Sequence, residues 1–287
     1  MNDTPLCIYH GNCLDGFTAA WAMWLKYPDA EFVPGVYGQE PPDVTGRTVF
    51  LLDFSYKRPV LVQMMRQARS ITIIDHHKTA EADLCNLDGV SMDDADFSDV
   101  NCIFDMTKSG ARLAWEWFHP SDCVPLFVKL VEDRDLWKFT LPNCRELNAV
   151  FFSHPYDFGV WTTLSQSCAL IVDYDEMVAE GRAIERKHAK DVAELVTKLK
   201  HTREFERFGT AWIPCANLPY TMASDAANLM AEGQPFAASY YQDADGNFVF
   251  SLRSREDGAD VSEVAKRYGG GGHKHAAGFR VTSLEEL

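Results

Sequence analysis

Three groups of acid and imidazole stand out in this 287-residue chain: His10 with Asp15, Asp53, and the run Asp75-His76-His77. Each follows an apolar, strand-like stretch: Cys7-Ile8-Tyr9 before His10, Val49-Phe50-Leu51-Leu52 before Asp53, and Ile71-Thr72-Ile73-Ile74 before Asp75. The carboxyl ends of parallel strands share one edge of an α/β sheet, and ligands bind in the crevice there. Three such ends would deliver hard oxygen and imidazole donors to one point, as in a divalent-metal hydrolase. A single carboxylate at a strand end is more often a cap or a loop hydrogen-bonder. An acid beside two imidazoles after an aliphatic strand is harder to place unless the groups are paired or coordinated. A further acid comes from Val131-Glu132-Asp133-Arg134-Asp135-Leu136-Trp137, at the end of an apolar helix. Its competing explanation is a solvated charge run tied to Arg134.

The elements that must hold these residues alternate through the first half of the chain. Strands are expected at Leu6–His10, Glu31–Pro34, Thr48–Asp53, Ile71–Ile74 and Val100–Phe104. Helices are expected at Phe17–Tyr27, from Pro59 to Arg69, from a Ser109 cap to Phe118, and at Val124–Val131. Strand–helix alternation with unbroken apolar strands implies a parallel sheet covered on both faces. The acidic stretch from Asp88 to Asp99 reads as a solvated loop. From Asp173 to Leu199 the pattern is one long, charged helix. A strand at Thr210–Ala216 and a helix at Ser224–Glu232 follow. A hairpin of Phe236–Tyr241 and Phe248–Leu252 turns about Asp245-Gly246. A helix at Val261–Tyr268, four glycines and a strand at Ala277–Val281 close the chain. The expected fold is therefore α/β: a metal-binding domain at 1–180 with a mainly parallel sheet, a connecting helix at 181–205, and a smaller α/β domain at 206–287.

Composition narrows the function. The net charge is −15, from 27 basic and 42 acidic residues. Such a field repels polyanions, whereas proteins that grip long nucleic acid carry a basic face. A nucleotide ligand should then be short. No stretch reaches the roughly 18 unbroken apolar residues of a membrane helix, and the N-terminus has no secretory pattern, so a cytoplasmic protein is expected. The eight cysteines form no CxxC pair, which fits reduced thiols. Trp21, Trp24, Trp115 and Trp117 lie at helical spacings and read as core, and Trp137 as packing.

The stretches HGNCLDGFTAAW (10–21), LLDFS, IIDHH, VEDRDLW and GGGGHKHAAGF, in this order, resemble the DHH phosphoesterase family with a C-terminal DHHA1 domain. The resemblance implies a two-domain α/β architecture and two divalent ions, most often Mn2+. It implies that His10 and Asp15 ligate metal, that Asp53 bridges both ions and that His76 binds one. Asp133 would be the last carboxylate ligand, with Asp135 of the same motif as the alternative. Asp75 would orient His76 from behind, as metal-bound imidazoles usually require, and His77 would face the phosphate as a polarising group or proton donor. Many members carry Asp two residues before the position of Asp15, where this chain has Cys13. Either Cys13 is a bystander and one ion is held more weakly, or the motif is arranged differently.

Four glycines before His273 let backbone amides approach an anion. Arg253 and Arg255 end a strand in the same domain, and a guanidinium can hold a terminal phosphate in a two-pronged grip. By resemblance Arg253, Gly270, Gly271, Gly272 and His273 would bind substrate. The implied reaction is hydrolysis of very short RNA, especially linear dinucleotides such as pGpG, the opened product of cyclic di-GMP, to nucleoside monophosphates. The alternatives are a phosphatase for 3′-phosphoadenosine 5′-phosphate and a non-catalytic nucleotide sensor. The expected partner is a short nucleotide rather than long nucleic acid or a membrane, with a homodimer compatible with the reading.

Overall fold

A computed structural model describes residues 4–84, 87, 99–206 and 211–287. The chain divides into two compact units, Met1–Glu185 and Arg186–Leu287. In the first, β1 (Leu6–His10), α1 (Leu14–Lys26), β2 (Glu31–Gly35), β3 (Thr48–Leu52), α2 (Arg58–Met65), β4 (Ser70–Asp75), α3 (Lys78–Leu84) and β5 (Asp99–Phe104) alternate. Then come α4 (Gly110–Phe118), α5 (Leu126–Asp135), α6 (Cys144–Ser153) and α7 (Phe158–Ser167). The 29-residue α8 (Ile171–Leu199) runs across the division between the units.

All strand pairs of the first sheet are parallel, in the order β2-β1-β3-β4-β5. After β1 the chain moves to one side for β2 and then to the other for β3. Crossovers that diverge in this way open a crevice at the carboxyl ends of β1 and β3. Side chains alternate between the two faces of the sheet. Leu6, Ile8, Val49, Leu51, Ile71 and Ile73 join one buried cluster, together with Leu61 and Met64 of α2. Cys7, Leu52 and Ile74 join the other, with Trp21, Phe127, Phe151 and Trp161. Both faces are dry, which explains why these strands read as continuous apolar runs.

The helix expectations hold where a cap marked them. Ser109 accepts the Arg112 amide at the start of α4, and proline stands in the first turn of α2. Three differences bear on the site. Helix α1 starts at Leu14 rather than Phe17, so Asp15 lies in its first turn. Helix α5 runs to Asp135 instead of stopping at Val131, which places Asp133 and Asp135 in its last turn. Helices α3, α6 and α7 were not anticipated, although Asp157 caps α7 by accepting the Val160 amide. Trp21 and Trp115 are core as expected, but Trp117 is exposed. The expected acidic loop lies outside the described residues up to Asp99, which opens β5.

Helix α8 meets α6 at Gly181, where an added Cβ would stand 2.0 Å from the Glu146 carbonyl oxygen. Backbone cannot yield as a flexible side chain does. Gly181→Val is therefore expected to destabilise the first unit by about 1–3 kcal/mol, the usual range for overpacking, measured as a lower urea midpoint.

The second unit contains β6 (His201–Phe205), β7 (Ala211–Asn217), α9 (Ala223–Met230), β8 (Ala237–Gln242), β9 (Phe248–Arg253), α10 (Val261–Arg267), β10 (Gly271–Gly272) and β11 (Ala276–Val281). Its mixed sheet has the order β10-β11-β9-β8-β7-β6, parallel only between β7 and β8. The helix stops at Leu199, where its charged pattern was expected to end; the rest of the connecting segment drawn to residue 205 is strand, since His201–Phe205 pair with β7 and bury Phe205. Phe250 and Phe279 stack at 4.8 Å in the core of this unit. Among the described residues no helix is long and apolar enough to cross a membrane.

Candidate metal centre

The first sheet delivers its acids and imidazoles from adjacent strand ends. His10 is the last residue of β1, Asp53 follows β3, and Asp75 ends β4 ahead of His76 and His77. Asp53 turns the chain with a left-handed backbone, φ 54°, while its amide still donates to the Ile74 carbonyl at 2.8 Å. Asp is among the few residues other than glycine that tolerate this region, and such strain gathers at functional sites. The turn aims the Asp53 carboxylate along the sheet edge. Its Oδ2 lies 3.2 Å from His10 Nδ1 and 3.7 Å from Cys13 Sγ. Its Oδ1 lies 3.1 Å from His76 Nε2 and 3.9 Å from His77 Nδ1.

Three carboxylates surround one imidazole nitrogen. His76 Nε2 has Asp53 Oδ1 at 3.1 Å, Asp135 Oδ2 at 3.5 Å and Asp15 Oδ2 at 3.7 Å. Asp15, Asp53 and His76 are each 1% exposed. Asp15 is fixed by the first amides of α4: Gly110 donates to Oδ2 at 2.6 Å and Ala111 to Oδ1 at 3.1 Å. A helix N-terminus suits a carboxylate, since its amides lack partners within the helix.

The charges strain against one another. Burial, with Asp135 and Asp53 nearby, pushes the Asp15 carboxyl well above the usual range. Burial also raises Asp53, but the His10 and His76 rings set against its two oxygens more than offset this and hold it well below. Burial raises Asp135 too. For His76, burial opposes the charged form, yet Asp53 and Asp135 lift the ring well above the ordinary imidazole value. Negative charge buried at this density calls for a positive partner.

Two sequence expectations need correction. Asp75 does not hold the His76 ring. Its Oδ1 receives His77 Nδ1 at 2.7 Å and the amides of His76 and His77, while its Oδ2 accepts Ser55 Oγ at 2.6 Å. Burial works against the carboxylate, but the His77 charge and hydrogen bond bring Asp75 down to about 2. Asp75 thus orients His77. Asp133 is the second correction. Its Oδ1 accepts the Thr140 amide at 3.0 Å and hydroxyl at 2.6 Å, and its Oδ2 accepts the Leu141 amide at 3.0 Å. Trp137 and Phe139 take left-handed backbones in that turn, and the Arg134 guanidinium stacks 4.4 Å over the Trp137 ring. Both oxygens of Asp133 are engaged in shaping the turn, and it is Asp135, two residues on, that reaches His76.

In the second unit, Arg253 donates to the Leu252 carbonyl at 2.8 Å and to Ser224 Oγ at 2.7 Å. Gly271 and Gly272 pair with Gly278 and Ala277. At Gly270 a Cβ would stand 2.0 Å from the Gly278 carbonyl oxygen. The glycine run was expected to serve an anion; at Gly270 the close passage of β11 already requires glycine. His273 follows in the turn to β11, its amide donating to Ala276 at 2.8 Å.

The DHHA1 domain family matches residues 219–287. "Uncharacterized protein R106" of Acanthamoeba polyphaga mimivirus is 26% identical over 308 aligned residues, covering 99% of this chain and 69% of that protein. Residues 219–287 thus carry the DHHA1 match, and the chain as a whole is similar to DHH/DHHA1 phosphoesterases. "Oligoribonuclease NrnB" of Bacillus subtilis (strain 168) is 25% identical over 231 residues, 74% of this chain and 53% of NrnB. The solved DHH domain of a member of the s1p family of ribosomal proteins shares the fold, with TM-score 0.60 and 13% identity over 96% of this chain and 82% of that one.

The donor set of this chain fits divalent ions. The groups His10, Cys13, Asp53 and Asp15, Asp53, His76 each offer one ligand atom within 4.8 Å of the others. Buried Asp53 Oδ1, among the described residues, receives no well-directed hydrogen bond despite the nearness of His76. Such an oxygen is costly to leave without a partner, and a cation would satisfy it. His10, Asp15, Asp53, His76 and Asp135 would hold the ions. Sequence reasoning missed Gly110 and Ser55, whose roles depend on contacts far along the chain, and Tyr37, whose ring packs 5.4 Å from that of His10. The two acids of α5 separate by experiment. Asp133→Asn should lower the melting temperature, as the loss of a partner in a buried network costs about 1–3 kcal/mol, while sparing metal affinity. Asp135→Asn should weaken manganese binding in equilibrium dialysis with little change in melting.

Proposed function

We propose that this chain is a metal-dependent phosphodiesterase that hydrolyses very short RNA, linear dinucleotides above all, to nucleoside monophosphates. The observation that carries the reading is the meeting of Asp15, Asp53 and Asp135 around His76 Nε2 at the carboxyl edge of the first sheet. When bound, divalent ions at such a site neutralise phosphoryl charge and supply a nucleophilic water at neutral pH. The chain's own part is to fix the ligands. Gly110 and Ala111 clamp Asp15, and His10 steadies Asp53. Asp75 and Ser55 hold His77 with Nδ1 toward Asp75, which favours a proton on that nitrogen and turns the ring's other nitrogen away from the acid. His77 is the candidate to polarise a phosphoryl oxygen or hand a proton to the departing ribose oxygen.

The choice of a short substrate is supported by the net charge of −15, which opposes long polyanions, and by the likeness to NrnB. Purified protein with manganese should be given pGpG, pApA, other dinucleotides, 3′-phosphoadenosine 5′-phosphate and a 20-nucleotide-class RNA side by side. Preferential release of monophosphates from dinucleotides supports the reading. Equal rates on long RNA, or turnover of the bisphosphate alone, would contradict it.

A further inference from the structure

Cys13 faces the site, and the proposed chemistry leaves it without a task. It occupies the N-cap of α1 with an extended backbone, φ −126° and ψ 133°, and its side chain makes no capping hydrogen bond. The preceding Asn12 turns left-handed at φ 54°, which swings the chain from β1 into the helix. The sulfur is brought 3.7 Å from Asp53 Oδ2, and His10 Nδ1 lies 3.2 Å from the same oxygen. Sulfur, ring nitrogen and carboxylate oxygen can all lie within 4.8 Å of one another. That is the spacing of three ligands around one ion, since Zn–S bonds of about 2.3 Å and Zn–N and Zn–O bonds near 2.0–2.2 Å span about 3–4 Å between donors in a tetrahedral shell.

The two donor groups differ in kind. Asp15, Asp53 and His76 present two carboxylates and an imidazole, a hard set. His10, Cys13 and Asp53 present sulfur, nitrogen and one oxygen, and thiolate favours zinc-like over manganese-like ions. Burial raises the free Cys13 thiol, so the sulfur would bind by giving up its proton to an incoming ion. Cys13 is half-buried, so an ion can reach it.

We propose that Cys13 is itself a metal ligand, binding with His10 and Asp53 an ion of the zinc and cobalt class, so that the two positions sharing Asp53 are chemically unlike. On binding, the thiol releases its proton to solvent and the sulfur donates to the ion; no oxidation is involved. The proposal rests on the metal reading of the cluster, and its test separates the two.

The full chain is titrated with cobalt(II), and its spectrum is compared with those of Cys13→Ser and Cys13→Asp, all checked for folding by circular dichroism. A near-ultraviolet thiolate-to-cobalt band in the native chain, lost in both variants, is the expected result. In competition dialysis, Cys13→Asp should reduce the preference for zinc over manganese by about tenfold or more, the scale of change seen on altering a metal site's ligand environment. Visible cobalt bands without the thiolate band would overturn the role of Cys13 while leaving the cluster a metal site. A thiolate band that survives in Cys13→Ser would assign it to another cysteine and likewise overturn the proposal. No cobalt uptake at all would overturn both readings. If the variants fail to fold, alkylation of the native chain decides. Saturating zinc should block modification of the Cys13 peptide by iodoacetamide, read by mass spectrometry, and unchanged modification overturns the proposal.

Discussion

Asp53→Asn is expected to reduce manganese-dependent hydrolysis of dinucleotides by at least about a thousandfold, because it removes several kcal/mol of charge stabilisation supplied through the shared carboxylate, at 1.36 kcal/mol per tenfold. The substitution keeps the shape of the side chain and removes its charge. Asp53 is the meeting point of the cluster: one oxygen faces His10 and Cys13, the other faces His76 and His77. Losing that charge weakens the hold on an ion at either group of donors. A retained melting temperature, with metal affinity and rate both lost, would place the effect in the site rather than in the fold. Hydrolysis that persists near the native rate would remove Asp53 from the chemistry.

Gly110→Ala should have the second largest effect, although Gly110 has no side chain to contribute. An added Cβ would stand 2.4 Å from Asp53 Cβ and 2.8 Å from Asp53 Oδ1. The Gly110 amide also holds Asp15 Oδ2 at 2.6 Å. Relief of the clash has to move Asp53, α4 or both, and each holds part of the cluster. A misplacement of about 1 Å at a catalytic site can cost about a hundredfold in rate, so a loss of that order is expected. Overpacking should add a stability loss of about 1–3 kcal/mol. Steady-state kinetics with a urea titration would test both parts. An Ala variant with native kinetics would show that Asp53 tolerates displacement.

Much of the first domain was legible because its strands are buried on both faces. Their apolar runs ended in His10, Asp53 and Asp75, and parallel strands end on one edge, so the meeting of these residues could be foreseen from pattern alone. The partner of each acid could not. Asp133 and Asp135 sit two residues apart in one charged run, and which of them turns inward depends on the Trp137–Thr140 turn, where left-handed residues fold Thr140 back onto Asp133. Asp75 lies next to both imidazoles in sequence, and only the backbone after β4 decides that His77 folds back onto it. Gly110 was invisible for a similar reason: its importance comes from Asp53, 57 residues earlier (110 less 53). In the second domain the four-glycine run was conspicuous, yet the pattern could not show that Gly270 is demanded by the passing backbone of β11.

Buried acids and imidazoles from three strand ends would hold divalent cations, and an anomalous-difference map from crystals of the full chain soaked in manganese can show this. Peaks bonded to Asp53 and shared with His76, Asp15 or His10, absent in Asp53→Ala crystals treated alike, are the expected outcome. A map at full manganese exposure with ordered side chains and no peak among these residues would contradict the account.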